Sequence, residues 1–124
     1  MNYWCELKGS KNVILVSVHV NAASNGEQMS ATGLSAYTSR GQTSADKLAD
    51  CLYDAVKEAL PGKKMRTDYQ DGNPGIEAGF YILKHTRCAA VIAEIFFQDN
   101  KQNVDFLLSN EDRESIVQLH VDGS

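Results

Sequence analysis

Cysteine is scarce and badly spaced for chemistry. Cys5, Cys51 and Cys88 lie far apart and no Cys-x-x-Cys occurs. Neither a zinc knuckle nor a redox pair is therefore encoded by spacing, and Cys51 and Cys88 read as small buried apolar residues. Long apolar runs are missing too. No stretch reaches the roughly 20 residues that cross a bilayer, so no membrane span is expected. The opening MNYWCELKGSK lacks a basic segment followed by an apolar one, so no signal peptide is visible there. Positive charge is in deficit. Twelve Lys and Arg against sixteen Asp and Glu give a net charge of −4. No field attracts phosphate, which argues against a nucleic-acid or acidic-membrane partner. Basic pairs such as Lys63-Lys64 are too short to form a patch. Internal repeats and low-complexity segments are absent.

The 124 residues, 43% of them apolar and 23% charged, suit one globular domain over 1–124. Residues 12–20 are a continuous, largely β-branched run, read as a central strand covered on both faces. Residues 33–39 (GLSAYTS) alternate as a second strand. Thr43-Ser44-Ala45-Asp46 opens a helix that carries Leu48, Cys51, Leu52, Ala55, Val56 and Ala59 on one face and ends at Pro61-Gly62. Residues 64–69 are a candidate edge strand, and 71–75 (DGNPG) a turn. The type of 80–84 is open. Residues 88–97 (CAAVIAEIFF) form a second apolar strand, followed by helices through 104–108 and 115–121. Alternating strands and helices predict an α/β layered fold with a mostly parallel central sheet flanked by helices.

Two polar residues interrupt the apolar strands. His19 is next to last in the first run, and Glu94 lies three residues before the second one stops. Ligands of open α/β sheets sit beyond the carboxyl ends of strands, where both residues fall. A carboxylate buried in AEIFF needs a compensating partner, and desolvation raises its pKa toward the range useful for proton transfer. Taken singly, His19 also fits a core histidine bonded to backbone, and Glu94 a structural carboxylate bonded to the loop after the first strand.

Two blocks carry a resemblance. VSVHVNAASNG followed by ATGLSAYTS resembles the central block of the zinc-dependent N-acetylmuramoyl-L-alanine amidases of the amidase-3 type, with Ser17, Val18, His19, Asn21, Ala22, Gly33 and Tyr37 in register. YILKHTRCAAVIAEIFFQDNKQNVDFLL is similar to that family's later block, matching at Leu83, Thr86, Ala90, Val91, Glu94, Phe97 and Asn100. Ala89 replaces the usual proline, and Phe96 the glycine that often follows the glutamate. The resemblance implies His19 as a zinc ligand, Glu94 as the catalytic acid–base, and Asn21 as a site or substrate contact. It implies a peptidoglycan substrate, cleaved by a zinc-activated water at the amide joining N-acetylmuramic acid to L-alanine, with action in the cell wall or periplasm.

The family's other two ligands, a histidine in a G-H-G-G-like turn and a helical glutamate, have no match upstream. The eighteen residues before His19 contain no histidine, and Glu6 does not fit by spacing. Glu27 and His85 read as solvent-facing, and His120 as structural or exposed. The expected fold is thus incomplete relative to the family. The chain alone is expected to be weakly active or inactive, with a metal-free module that binds cell-wall peptides as the alternative. A sheet edge bared in this way predicts self-association.

Overall fold

The computed structural model describes residues 2–39, 44–67, 75–77 and 80–124. Helix α1 spans Asn2–Lys8 and leads through a 3-10 turn at Ser10–Asn12 into β1, Ile14–Asn21. β2 (Leu34–Thr38), α2 (Ser44–Ala59), β3 (Ile76–Glu77), α3 (Tyr81–His85) and β4 (Ala89–Phe97) follow, and α4 (Lys101–Leu108) and α5 (Asn110–Gly123) close the chain. Of the expected turn at 71–75 only Gly75 falls among the described residues, as does the expected strand at 64–69 only up to Thr67. There Met65 makes a single parallel bridge to Leu34.

The sheet order is β1-β4-β2-β3. β1 runs parallel to β4, whereas β4 and β2 at the centre are antiparallel. The two-residue β3 adds to β2 in parallel. The fold is α/β as expected, but the mostly parallel sheet is corrected to a small mixed one. The cause is the connection after β1. A parallel neighbour needs a crossover, usually helical, that carries the chain back to the opposite end. Residues 22–33 contain no helix. They remain at the carboxyl end of β1, so β2 starts there and runs back.

A second expectation is also corrected. β1 is an edge strand, not a central one, and Ile14, Val18 and Val20 are 41%, 55% and 45% exposed. Its continuous apolar sequence is that of a strand covered on both faces, yet among the described residues β4 is its only neighbour in the sheet. β4 is the covered strand, with Val91 wholly buried.

The core lies between one sheet face and the helices. α2 turns Leu48, Ala49, Leu52, Ala55 and Val56 inward at helical spacing. They meet Leu34 and Ala36 of β2 and Val91, Ala93 and Ile95 of β4. The other face of α2 carries Cys51, which is exposed, contrary to the expectation of burial. Leu119 of α5 joins the same core. Tyr53 buries its ring and satisfies its hydroxyl, which accepts the Ala36 amide at 2.9 Å and donates to the Arg66 carbonyl at 2.7 Å. On the opposite sheet face, Leu83 of α3 covers Ala90 and Ile92.

Candidate functional site

Strand register places the polar residues. His19 lies opposite Glu94, and Glu94 lies opposite Ser35 of β2. Directly opposed residues project from the same sheet face, so His19, Glu94 and Ser35 form one row across three strands. This row lies on the face turned away from α2, because the alternating neighbours Leu34, Ala93 and Ile95 belong to the α2 core.

His19 is exposed, and its Nε2 is 2.8 Å from Ser17 Oγ, two residues earlier on the same face. The core-histidine alternative is thereby removed. Glu94 is half-buried, and its Oε2 is shielded from solvent without a hydrogen-bond partner. Burial pushes its pKa above the usual glutamate range, with the neighbouring His19 pulling partly back. Ser35 is 3% exposed and its Oγ also lacks a partner. Two orphaned polar atoms at adjacent positions are unusual in a folded interior. Sequence reasoning missed Ser35, since only the antiparallel register brings it beside Glu94.

A bulge follows Glu94 in β4. His19 pairs with Glu94, but Asn21 pairs with Phe97, so one extra residue sits in β4 between them. Phe96 takes φ 61° there, among the described residues the one non-glycine residue with positive φ. Ile95 and Phe96 consequently both enter the α2-side core, while Glu94 stays on the other face with Ala90 and Ile92. Glycine would adopt this φ without strain. Phe96 holds the conformation through burial instead, edge-on to Phe106 at 5.2 Å between ring centroids.

The segment after β4 staples the loop after β1. Asp99 Oδ2 accepts the Ala23 and Ser24 amides at 2.8 and 2.7 Å. Desolvation opposes ionisation of Asp99, but these bonds outweigh it and hold its pKa below the usual carboxylate range. Asn100 caps α4 by accepting the Asn103 amide, and it donates to the Ser30 and Ala31 carbonyls. Asn103 in turn donates to Thr32 Oγ1 at 2.8 Å. An open groove of about 480 Å³ lies over this junction, lined by Ser24, Glu27, Gln28, Gln98 and Lys101. Asn21 is half-buried. Its Oδ1 accepts the Ala22 amide at 2.8 Å, and its carbonyl accepts the Gln98 amide.

The other candidates lie elsewhere. Glu27 is exposed. Glu6 pairs with Arg87 at 3.0 Å. His85 is exposed and stacks on Tyr81. His120 Nδ1 bonds the Ile116 carbonyl, one helical turn back in α5. Among the described residues no group of three or more His, Cys, Asp or Glu side chains could hold a metal ion. His19 and Glu94 are two donors where a zinc site uses at least three protein ligands. The residues present do not fit zinc.

The raised pKa of Glu94 has a consequence for stability. The folded chain holds this proton more tightly than the unfolded chain. Stability therefore falls as pH rises from the usual glutamate range through the raised value. Glu94→Gln is expected to raise Tm at neutral pH, with the gain disappearing by about pH 3, where both states are protonated. Thermal melts of the two proteins across this range check it. A gain that stays constant with pH contradicts the assignment.

The family profile described as N-acetylmuramoyl-L-alanine amidase matches residues 6–123. Among curated protein sequences none matches significantly. Solved structures share the fold. The N-acetylmuramoyl-L-alanine amidase AmiC2 of Nostoc punctiforme aligns with a TM-score of 0.73 at 18% identity, covering 99% of this chain and 62% of its own. The catalytic domain of CwlV, an N-acetylmuramoyl-L-alanine amidase from Paenibacillus polymyxa var. colistinus, gives 0.72 at 22% identity, covering 98% and 59%. An N-acetylmuramoyl-L-alanine amidase from Clostridium difficile 630 gives 0.71 at 22%, covering 89% and 54%. The chain thus spans little more than half the length of these solved relatives. With the profile matched over nearly its whole length, the chain belongs to the Amidase_3 family, described as N-acetylmuramoyl-L-alanine amidases.

Proposed function

We propose that this chain is a peptidoglycan-binding module of amidase ancestry, acting at the cell wall, that grips stem peptides without cleaving them unaided. The observation that carries this reading is the His19–Glu94 pair without a third ligand. An exposed imidazole stands beside a carboxylate with one oxygen unpartnered. A peptide amide complements the two, its N–H donating to Glu94 and its carbonyl accepting from a protonated ring nitrogen of His19. Asn21, whose carbonyl accepts the amide of the groove-lining Gln98, extends the contact surface along a bound peptide.

Co-sedimentation with purified insoluble peptidoglycan tests this. The chain is expected to pellet with the polymer, and the double variant His19→Ala, Glu94→Ala to pellet at least about tenfold less at equal concentration, the loss of one or two charge-assisted hydrogen bonds. Equal pelleting of the folded variant, or none of the parent chain, contradicts the reading.

Hydrolysis of the amide between N-acetylmuramic acid and L-alanine is the second reading. It is favoured by Glu94, whose raised pKa suits a proton carrier. It requires ligands that the described residues do not contain.

We further infer that a second copy of the chain covers the free edge of β1. Natural edge strands are blunted by lysine, proline or bulges that turn them from neighbours. Residues 14–18 of β1 are ILVSV, without charge or proline. Antiparallel pairing of two copies about Ser17 joins Ile14, Val16, Val18 and Val20 of both into one apolar stripe.

A further inference from the structure

α1 has little to hold it. Its one buried residue is Cys5, while Tyr3, Trp4 and Leu7 are more than half exposed. It docks on the residues that lead into β4. Asn2 grips this segment twice, donating Nδ2 to the His85 carbonyl at 2.9 Å and accepting the Arg87 amide on Oδ1 at 2.9 Å. Glu6 adds the exposed pair to Arg87. These contacts flank Cys5 and Cys88, which are 5% and 7% exposed. The Asn2 and Glu6 contacts to residues 85–87 bring these two buried cysteines into one neighbourhood. Chain spacing conceals this pair, because α1 returns to β4 only through the fold.

We propose that Cys5 and Cys88 are a disulfide-forming pair, oxidised by a low-molecular-weight disulfide such as oxidised glutathione, whose bond locks α1 onto the start of β4. Asn2 and Glu6 hold α1 against the residues just before Cys88, and bonding brings the two sulfurs to about 2 Å. The step balances by exchange. The Cys5 thiol loses its proton and attacks oxidised glutathione, releasing one glutathione thiol and leaving a mixed disulfide. The Cys88 thiolate then attacks Cys5 Sγ and displaces the second glutathione. Two protein thiols are oxidised and one glutathione disulfide is reduced to two thiols.

Cys5 is the better first attacker because α1 buries no other residue and so opens easily. Burial, with the Cys5 thiol adding to it, pushes the Cys88 thiol up from its usual pKa. The closed loop contains β1, β2, α2, β3 and α3, so the bond restrains most of the unfolded chain. Reduced, α1 is a loosely docked helix; oxidised, it is fixed. An oxidising exterior such as a cell wall favours the second state.

The test uses the full chain with Cys51→Ser, because Cys51 is exposed and open to intermolecular exchange. The folded protein is incubated with oxidised glutathione, then examined by intact mass, peptide mapping and thermal melting. The expected result is the loss of two hydrogens, a mapped Cys5–Cys88 link, and a Tm about 10 °C higher that dithiothreitol reverses. Cys5→Ser should abolish the link and the gain. Free thiols that remain alkylatable, or stable glutathione adducts without the link, overturn the proposal.

Discussion

Phe96→Ala is expected to cost about 3–5 kcal/mol of folding stability, the range for truncating a buried phenylalanine. Phe96 is 2% exposed, packs edge-on to Phe106 and joins Leu34, Val56, Ile95 and Leu119 in one cluster. Truncation leaves a cavity there while retaining the unfavourable φ of 61°. Normally such a φ costs about 1–3 kcal/mol, which surrounding packing must offset. With the ring gone, the packing that offsets this φ is lost. Urea unfolding gives the number, and a loss below about 1 kcal/mol would show that the bulge does not depend on the ring.

Val18→Lys is expected to convert a dimer into a monomer. Val18 is 55% exposed in the single chain, so lysine there leaves the monomer's own stability within about 0.5 kcal/mol. Across the inferred β1 interface the same change places two unpaired ammonium groups in an apolar stripe, weakening association by about a hundredfold or more. Sedimentation velocity at tens of micromolar reads the change as a halved mass. A monomeric parent chain at that concentration contradicts the inferred dimer.

Much of the fold was legible where local chemistry decided the element. α2 follows from its 3.6-residue apolar stripe and its glycine stop, with Gly62 at φ 82°. β4 follows from a buried apolar run. What stayed hidden depended on non-local pairing. The run at 12–20 reads as covered on both faces because its composition is that of a central strand. Its edge position follows from what stands beside it, which composition does not encode. The direction of β2 likewise follows from where the loop at 22–33 travels. α1 carries no apolar stripe strong enough to announce a helix, and its docking rests on Asn2, Cys5 and Glu6 meeting residues far along the chain.

The site divides in the same way. His19 and Glu94 were visible as polar residues in apolar strands, and the structure sets them opposite each other. Ser35 was not visible, since a serine in an alternating strand carries no signal until register assigns its neighbour. Asn100 was matched as a motif position. Its physical work, capping α4 while bonding the Ser30 and Ala31 carbonyls, emerges only in three dimensions.

The central proposal is that this chain holds cell-wall peptides and that its described residues lack the donors to cut them. The most direct measurement is release of new N-terminal L-alanine amines from purified peptidoglycan, with zinc supplied in excess and His19→Ala run beside the parent chain. The account predicts no release above the variant. Sustained release by the parent chain, lost in His19→Ala, would contradict it and would mean that His19 and Glu94 belong to a complete catalytic centre.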